Sequence, residues 1–270
     1  MTSAGFDPKF LGTAAGTPVL TDSGTADAVE LDGSTTIDYT HFSLALSKSR
    51  KFAIWVAWNI DGDKLKALSR SNLQFVKDPR IPAEFQTGDE LYRDNRLDRG
   101  HIARRADLCW GTKAEAQRGN KDSFFFTNIT PQMDDFNQSA KEGLWGRLEN
   151  AVLEDVDVDN LKVSVYGGPV FNADDRLFRG VAIPREFYKA IAFVVDGELR
   201  CSAFLLTQNL VLAEALDLDE FRVFQVSLTE LEKRVSFTFP PELHAADTAS
   251  VQLLDESERK PLDSLADIRW

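Results

Sequence analysis

The chain has 270 residues, 43% of them hydrophobic, which is enough apolar material for one sizeable core. Lys and Arg number 31 against 43 Asp and Glu, a formal net charge of −12, so the surface as a whole does not attract a polyanion. No apolar run reaches the ~20 residues of a membrane helix, and residues 1–13 lack the basic start and the ~7–15-residue apolar stretch of a secretory signal. The expectation is a soluble protein, cytoplasmic or exported by a signal-independent route, with no membrane partner.

In chain order, residues 1–38 are small, polar and acidic and read as an N-terminal arm packed on the domain. Residues 39–270 read as one domain, because no Pro/Gly/Ser-rich linker, low-complexity block or solenoid-like repeat divides them. Phe52 to Ile60 is a β-rich run closed by Asp61-Gly62 and reads as a buried strand. Further strands are expected at Ser123–Thr127, Lys162–Tyr166, Lys189–Val195 and Ser202–Thr207, with Asp196-Gly197 as a hairpin turn between the last two. Helices are expected at Leu144–Leu153, where Leu144, Leu148 and Val152 recur every four residues, and at Ser227–Lys233. Strands adjacent in sequence with few helices between them predict an α+β fold on a largely antiparallel central sheet with flanking helices. Cys109 and Cys201 belong to no CxxC pair and read as reduced, partly buried thiols.

Charge is unevenly distributed: Arg93 to Lys121 holds eight basic and four acidic residues, a basic segment inside an acidic protein. His101 lies within it, preceded by Asp98-Arg99-Gly100 and flanked by Arg96, Arg99, Arg104 and Arg105. The two other histidines read as structural (His41) and as a surface residue (His244). Cutting a phosphodiester needs an activated water, a cation on the phosphate oxygens and help for the leaving oxygen. An imidazole, with an unperturbed pKa of about 6.5, can take the proton from water, and nearby arginines lower that pKa and keep the base form available. A hard cation such as Mg²⁺ keeps most of its waters and needs as few as one or two protein oxygens. Asn128, Asp134, Asp135 and Asn137 are the oxygen donors near His101 in sequence, and each could equally be a turn-shaping residue.

Asp98-Arg99-Gly100-His101-Ile102-Ala103, then Thr127-Asn128-Ile129-Thr130-Pro131-Gln132, Phe136-Asn137-Gln138 and Leu144-Trp145-Gly146-Arg147-Leu148-Glu149 form an ordered series. It resembles the DNA/RNA non-specific endonucleases, a family of secreted bacterial nucleases and mitochondrial endonuclease G whose active site is a ββα-metal (His-Me) finger. The likeness extends over roughly residues 50 to 205, through Val56-Ala57-Trp58-Asn59-Ile60 and Tyr166-Gly167-Gly168-Pro169-Val170-Phe171. It implies that His101 is the general base, that Asn137 is the direct protein ligand of Mg²⁺ (Mn²⁺ substituting), and that Glu149 holds a metal-bound water. It also implies that Asn128 orients the site, that Arg99 contacts the substrate phosphate, and that Arg70 stabilises charge in the transition state. The products implied are 5′-phosphate ends.

Two departures accompany the resemblance. About four extra residues separate Asn137 from Trp145, which makes Glu142 the substitute if Glu149 cannot reach the metal. The family's basic residue beyond that glutamate is Leu153 here, which shifts phosphate contact to Arg104 or Arg105, alongside Arg96 in the basic segment. The expected partners are DNA and RNA, read through phosphates and so with little sequence preference, together with a second copy of the chain and an inhibitor or activator protein. The competing readings are a catalytically silent nucleic-acid-binding module and a small-nucleotide phosphodiesterase. The first would not need the intact set of His101, Asn137 and a downstream carboxylate, and the second would need a closed pocket.

Overall fold

The computed structural model describes residues 4–133, 161–207 and 222–249, with Leu262 and Ile268. The expected helix Leu144–Leu153 and the site residues Asn137, Glu142 and Glu149 lie outside the described residues. Strands are numbered in chain order: β1 (Val19–Leu20), β2 (Ile37–Tyr39), β3 (Phe42–Leu46), β4 (Ala53–Asp61), β5 (Leu97–His101), β6 (Ile129–Met133), β7 (Lys162–Val170), β8 (Arg176–Phe178), β9 (Val181–Ile183), β10 (Glu186–Val195), β11 (Glu198–Thr207), β12 (Arg222–Val226) and β13 (Phe237–Thr238). Seven of them form the central sheet in the order β12-β11-β10-β7-β4-β3-β2, with antiparallel pairing throughout. This is the mixed fold on a large antiparallel sheet that the strand-rich pattern predicts.

Both faces of the sheet are covered, so its middle strands are apolar on both sides. Alternation along each strand sorts the residues into two layers. Trp58, Phe187, Ile191, Phe193 and Phe204 form one layer, which packs against Ile102, Ala103 and Leu108 just beyond His101. Tyr166, Tyr188, Ala190, Ala203 and Leu205 form the other, covered by Phe6, Ala15, Leu228, Leu231, Phe237 and Leu243. Burying one such aromatic or leucine side chain stabilises the fold by about 1.5–3 kcal/mol, so the two layers set where everything else must sit.

The N-terminal residues are held more firmly than their polar composition suggests. Asp7 donates its backbone N–H to Asn59 Oδ1 at 2.7 Å, the Ala15 carbonyl accepts the Tyr166 hydroxyl at 3.0 Å, and β1 pairs with β13. The strands β10 and β11 are joined at Asp196-Gly197, both with positive φ (54° and 77°), the two-residue turn that the Asp-Gly pair predicts. The expected C-terminal helix is present at Leu228–Glu232, capped by Ser227. Both cysteines are buried and unpaired.

One expectation is corrected. Ser123–Thr127 is not a strand: it follows the helix Lys113–Asp122 and continues into a 3₁₀ turn at Phe126–Asn128. Thr112 and Glu115 cap that helix reciprocally, each side chain bonded to the other's backbone N–H, and this start signal outweighs the aromatic run after it. The turn fans the three rings apart. Phe124 faces His101, Phe125 packs on Tyr39, and Phe126 packs on Phe75 and Tyr92.

A lysine stands in the middle of the apolar layer. Lys189 shares the face of Phe187 and Ile191 and is only 1% exposed, with its ammonium 5.4 Å from the Trp58 ring. Gly167 is its register partner across the β7–β10 pair, and the missing side chain leaves room for the Trp58 ring. The same indole donates to Asp107 Oδ2 at 3.3 Å. Burial lowers the affinity of Lys189 for its proton and Asp107 opposes the shift; burial raises the Asp107 carboxyl, which Arg104 and then Lys189 oppose. The Trp58–Asp107 bond ties the 3₁₀ turn Arg105–Leu108 to the sheet. Lys189→Met should lower the unfolding free energy by about 1–3 kcal/mol in urea titration, because Asp107 keeps Arg104 but loses its second favourable cation, and Lys189→Met/Asp107→Asn should recover part of it. Equal losses in the single and double variants would contradict the pairing.

Candidate active site

The strands β5 and β6 form a separate two-stranded antiparallel ribbon in which His101 pairs with Ile129 and Leu97 with Met133. Gly100 is required by packing, not by its backbone angles: a Cβ there would lie 2.1 Å from Cδ of the buried Gln132 side chain. His101 therefore ends a strand whose preceding residue has been cleared to let the partner strand close over it.

Asn128 fixes the backbone just beyond His101. Its Oδ1 accepts the Ala103 N–H at 2.9 Å, and its Nδ2 donates to the carbonyls of Ala103 (3.0 Å) and Ser123 (3.2 Å). The Asn128 carbonyl accepts the Ile102 N–H at 2.9 Å. The side chain is fully buried and bonded at both ends, which suits it to hold the backbone beside His101 and leaves the metal to other donors.

The imidazole itself is half-buried, but its Nε2 is shut off from solvent and has no hydrogen-bond partner among the described residues. Phe124 meets it edge-on at 5.4 Å between ring centres and Phe75 is tilted against it at 5.5 Å. Phe75 is brought there by two backbone bonds between Val76 and the Phe124–Phe126 turn. Burial, then Arg105, then Arg70 push the imidazole pKa down to about 4. His101 is consequently neutral at physiological pH, with a lone pair or N–H held out of water's reach until something enters.

The arginines divide into distinct positions. Arg105 donates from Nη1 to the Leu68 carbonyl at 2.9 Å and to Asn120 Oδ1 at 3.1 Å, and Asn120 donates to the Ser69 carbonyl at 3.1 Å. These bonds pin the loop that carries Arg70, which is why its exposed side chain acts on His101 from 31 positions away in sequence. Arg99 donates from Nε and Nη2 to Asp89 Oδ1 at 3.0 and 2.7 Å, and its guanidinium lies over Tyr92 and Phe75. Arg104 is half-buried and its charge acts on Asp107 and Lys189. Arg96 is half-buried on the approach to β5. The structure thus gathers His101, Arg70, Arg99, Arg105 and Asn128 around one strand end.

The other histidines have structural places. His41, in the turn between β2 and β3 with φ 70°, stacks on Trp110 at 3.6 Å and donates from Nδ1 to the Leu108 carbonyl at 3.0 Å. His244 is not a simple surface residue: it is half-buried and its Nε2 lies 2.7 Å from Glu232 Oε1. Among the described residues no group of three or more His, Cys, Asp or Glu side chains could hold a metal ion. A cation at His101 would accordingly depend on few protein oxygens, as Mg²⁺ tolerates, and the residues expected to supply them are outside the described set. Sequence reasoning missed Phe75, Phe124, Asp107 and Lys189; the one visible signal was a lone lysine in an apolar run.

The model of the DNA/RNA non-specific endonuclease family matches residues 22–246. Among similar proteins, y4fB of Sinorhizobium fredii, an uncharacterised protein, is 38% identical over 252 residues, covering 86% of this chain and 37% of its own. Mitochondrial nuclease EXOG of Homo sapiens is 28% identical over 228 residues (76% of this chain, 56% of its own), and the nuclease of Serratia marcescens is 29% identical over 204 residues (72% and 70%). The chain thus spans roughly a third to two thirds of the relatives it matches. A solved structure of EndoG in complex with EndoGI superposes with a TM-score of 0.61 at 22% identity, covering 79% of this chain and 89% of that one, so the fold is shared. No helix among the described residues is long and apolar enough to cross a membrane.

Asn128→Ala should lower the unfolding free energy by about 2–3 kcal/mol, because it strands the buried Ala103 N–H and carbonyl, and chemical denaturation measures this directly. An unchanged midpoint would mean that the strand end is held by other contacts.

Proposed function

The chain belongs to the DNA/RNA non-specific endonuclease family, and from that premise we propose that it hydrolyses phosphodiester bonds in DNA and RNA with little sequence preference, leaving 5′-phosphate ends. The observation that carries this reading is the His101 imidazole, neutral and with a buried Nε2 that has no hydrogen-bond partner among the described residues, set among arginines at the end of β5.

His101 takes a proton from the attacking water. A base with a pKa near 4 is weak, but a phosphodiester anion entering beside Arg70 and Arg105 offsets the charges that depress it and raises its proton affinity. Arg99 and Arg70 stabilise the charge that develops on the phosphate oxygens, with Arg96, Arg104 and Arg105 supplying the surrounding positive field. Asn128 acts through the backbone by fixing Ala103. Asn137 would hold Mg²⁺, with Mn²⁺ as a substitute, and Glu149 or Glu142 would hold a metal-bound water; the ion, when bound, supplies positive charge to the phosphate and leaving oxygens. Contacts made to phosphates carry little base information, which agrees with a broad substrate range. A nuclease of this breadth is compatible with its own cell through an inhibitor, through dependence on an activator, or through delivery elsewhere as a toxin or defence effector, and an EndoG inhibited by EndoGI offers a parallel for the first.

Purified protein with Mg²⁺ should nick and then degrade supercoiled plasmid and single-stranded RNA, and EDTA or His101→Ala should reduce both by at least about a hundredfold, the scale of a lost general base. If the wild type leaves both substrates intact at low salt, or His101→Ala cuts like the wild type, the reading fails.

A further inference from the structure

The strands β8 and β9 form a short ribbon outside the central sheet, closed by Arg179-Gly180 with φ of 51° and 77°. One side of the ribbon is apolar. Phe178, Val181 and Ile183 pack with Leu91, Tyr92, Phe126 and Ile129. Ile129 is the register partner of His101 and shares its face, and Tyr92 lies under the Arg99 guanidinium, so the ribbon packs beside the residues that carry the site. The other side faces solvent. Leu177 is 73% exposed on that side, while Arg176, at the strand end opposite Ile183, and Arg179, in the turn, are exposed at the two ends of the ribbon.

Charge marks this ribbon as unusual in an acidic chain. Residues 176–185 contain three arginines and no Asp or Glu. Arg185 is neutralised by Asp174, but among the described residues neither Arg176 nor Arg179 has a carboxylate partner. Arg179 also occupies a turn position with positive φ, where Asn, Asp or Gly fits at lower cost. Its Nη1 donates to the Glu90 carbonyl at 2.7 Å, on the short helix Asp89–Tyr92 whose Asp89 holds Arg99. The ribbon and the Arg93–Lys121 segment are separate in sequence and are joined in space through that helix.

We propose that the ribbon Arg176–Ile183 is a second nucleic-acid contact surface, on which Arg176 and Arg179 neutralise backbone phosphates of the duplex flanking the scissile bond and Leu177 contacts the sugar edge. This rests on the nuclease reading and extends it from the cleavage site to the strand beside it. Net charge of −12 makes general attraction to DNA unavailable, so binding must come from local arginines without carboxylate partners, such as these. Two arginines set on phosphates fix the position of a duplex and carry no base information there.

The test is binding of a fluorescent duplex of about 24 base pairs in EDTA, followed by anisotropy over a range of salt, for wild type and Arg176→Glu/Arg179→Glu. The variant should bind at least about tenfold more weakly, and the slope of log affinity against log salt should flatten by about 1.8, the release expected for two phosphate contacts. Its thermal midpoint should fall by no more than a few degrees, because Arg176 is exposed and Arg179 loses one exposed hydrogen bond, to the Glu90 carbonyl. Unchanged affinity and slope would overturn the ribbon's role while plasmid cleavage by the wild type still upheld the nuclease. Weaker binding that only tracks a lowered melting midpoint would overturn it too. A wild type that neither binds the duplex nor cuts plasmid would end both readings.

Discussion

An imidazole held with one nitrogen away from water and with no hydrogen-bond partner among the described residues is costly, and the residues around His101 sustain that state. Phe75 and Phe124 enclose the ring, and Arg70 and Arg105 bias it towards the neutral form. Each of these depends on something further out. Phe75 is placed by the bonds of Val76 to the Phe124–Phe126 turn, Arg70 by the bonds of Arg105 and Asn120 to its loop, and the backbone after His101 by Asn128. Below these lies the sheet, to which the Arg105–Leu108 turn is fastened by apolar contacts and by the buried Asp107 and Lys189. A hydrophobic layer could have supplied that contact with less desolvation; the hydrogen bond from Trp58 to Asp107 adds a directional tie that apolar contact lacks.

Electrostatics explains how an acidic protein can present a polyanion site. The basic residues lie in separate stretches of sequence, and the short helix Asp89–Tyr92 meets two of them: the Asp89 carboxylate orients Arg99 and the Glu90 backbone carbonyl receives Arg179. Carboxylates next to arginines do not simply cancel them. An exposed ion pair contributes little to stability, but it holds the planar Arg99 guanidinium in one orientation over Tyr92 and Phe75.

Much of the fold was legible because its signals are local. The strands β4, β7, β10 and β11 carry dense β-branched and aromatic runs, and Asp196-Gly197 specifies its turn chemically. The Phe124-Phe125-Phe126 run misled because aromatic density marks burial as well as strands, and Thr112 with Glu115 was the stronger signal overlooked. His101 and Asn128 could be singled out by the Asp-Arg-Gly-His turn and the motif series. The hydrogen bonds that make Asn128 a clamp and not a ligand are contacts 25 positions apart, which no local pattern encodes. The same holds for Arg105 on Leu68 and for Lys189 beside Asp107, since strand periodicity records that a residue is buried but not what it meets. Asn137, Glu142 and Glu149 lie outside the described residues, and their roles are proposals carried by the motif series alone.

The most direct test of this account is a titration of His101 by NMR in protein carrying isotope-labelled histidine, with His101→Ala to assign the signal. Burial and the two arginines predict an imidazole still neutral at pH 5.5, titrating near 4, and titrating higher in Arg105→Gln. An ordinary value near 6.5 in both proteins would contradict it, because the base would then be an exposed histidine that the surrounding structure does nothing to prepare.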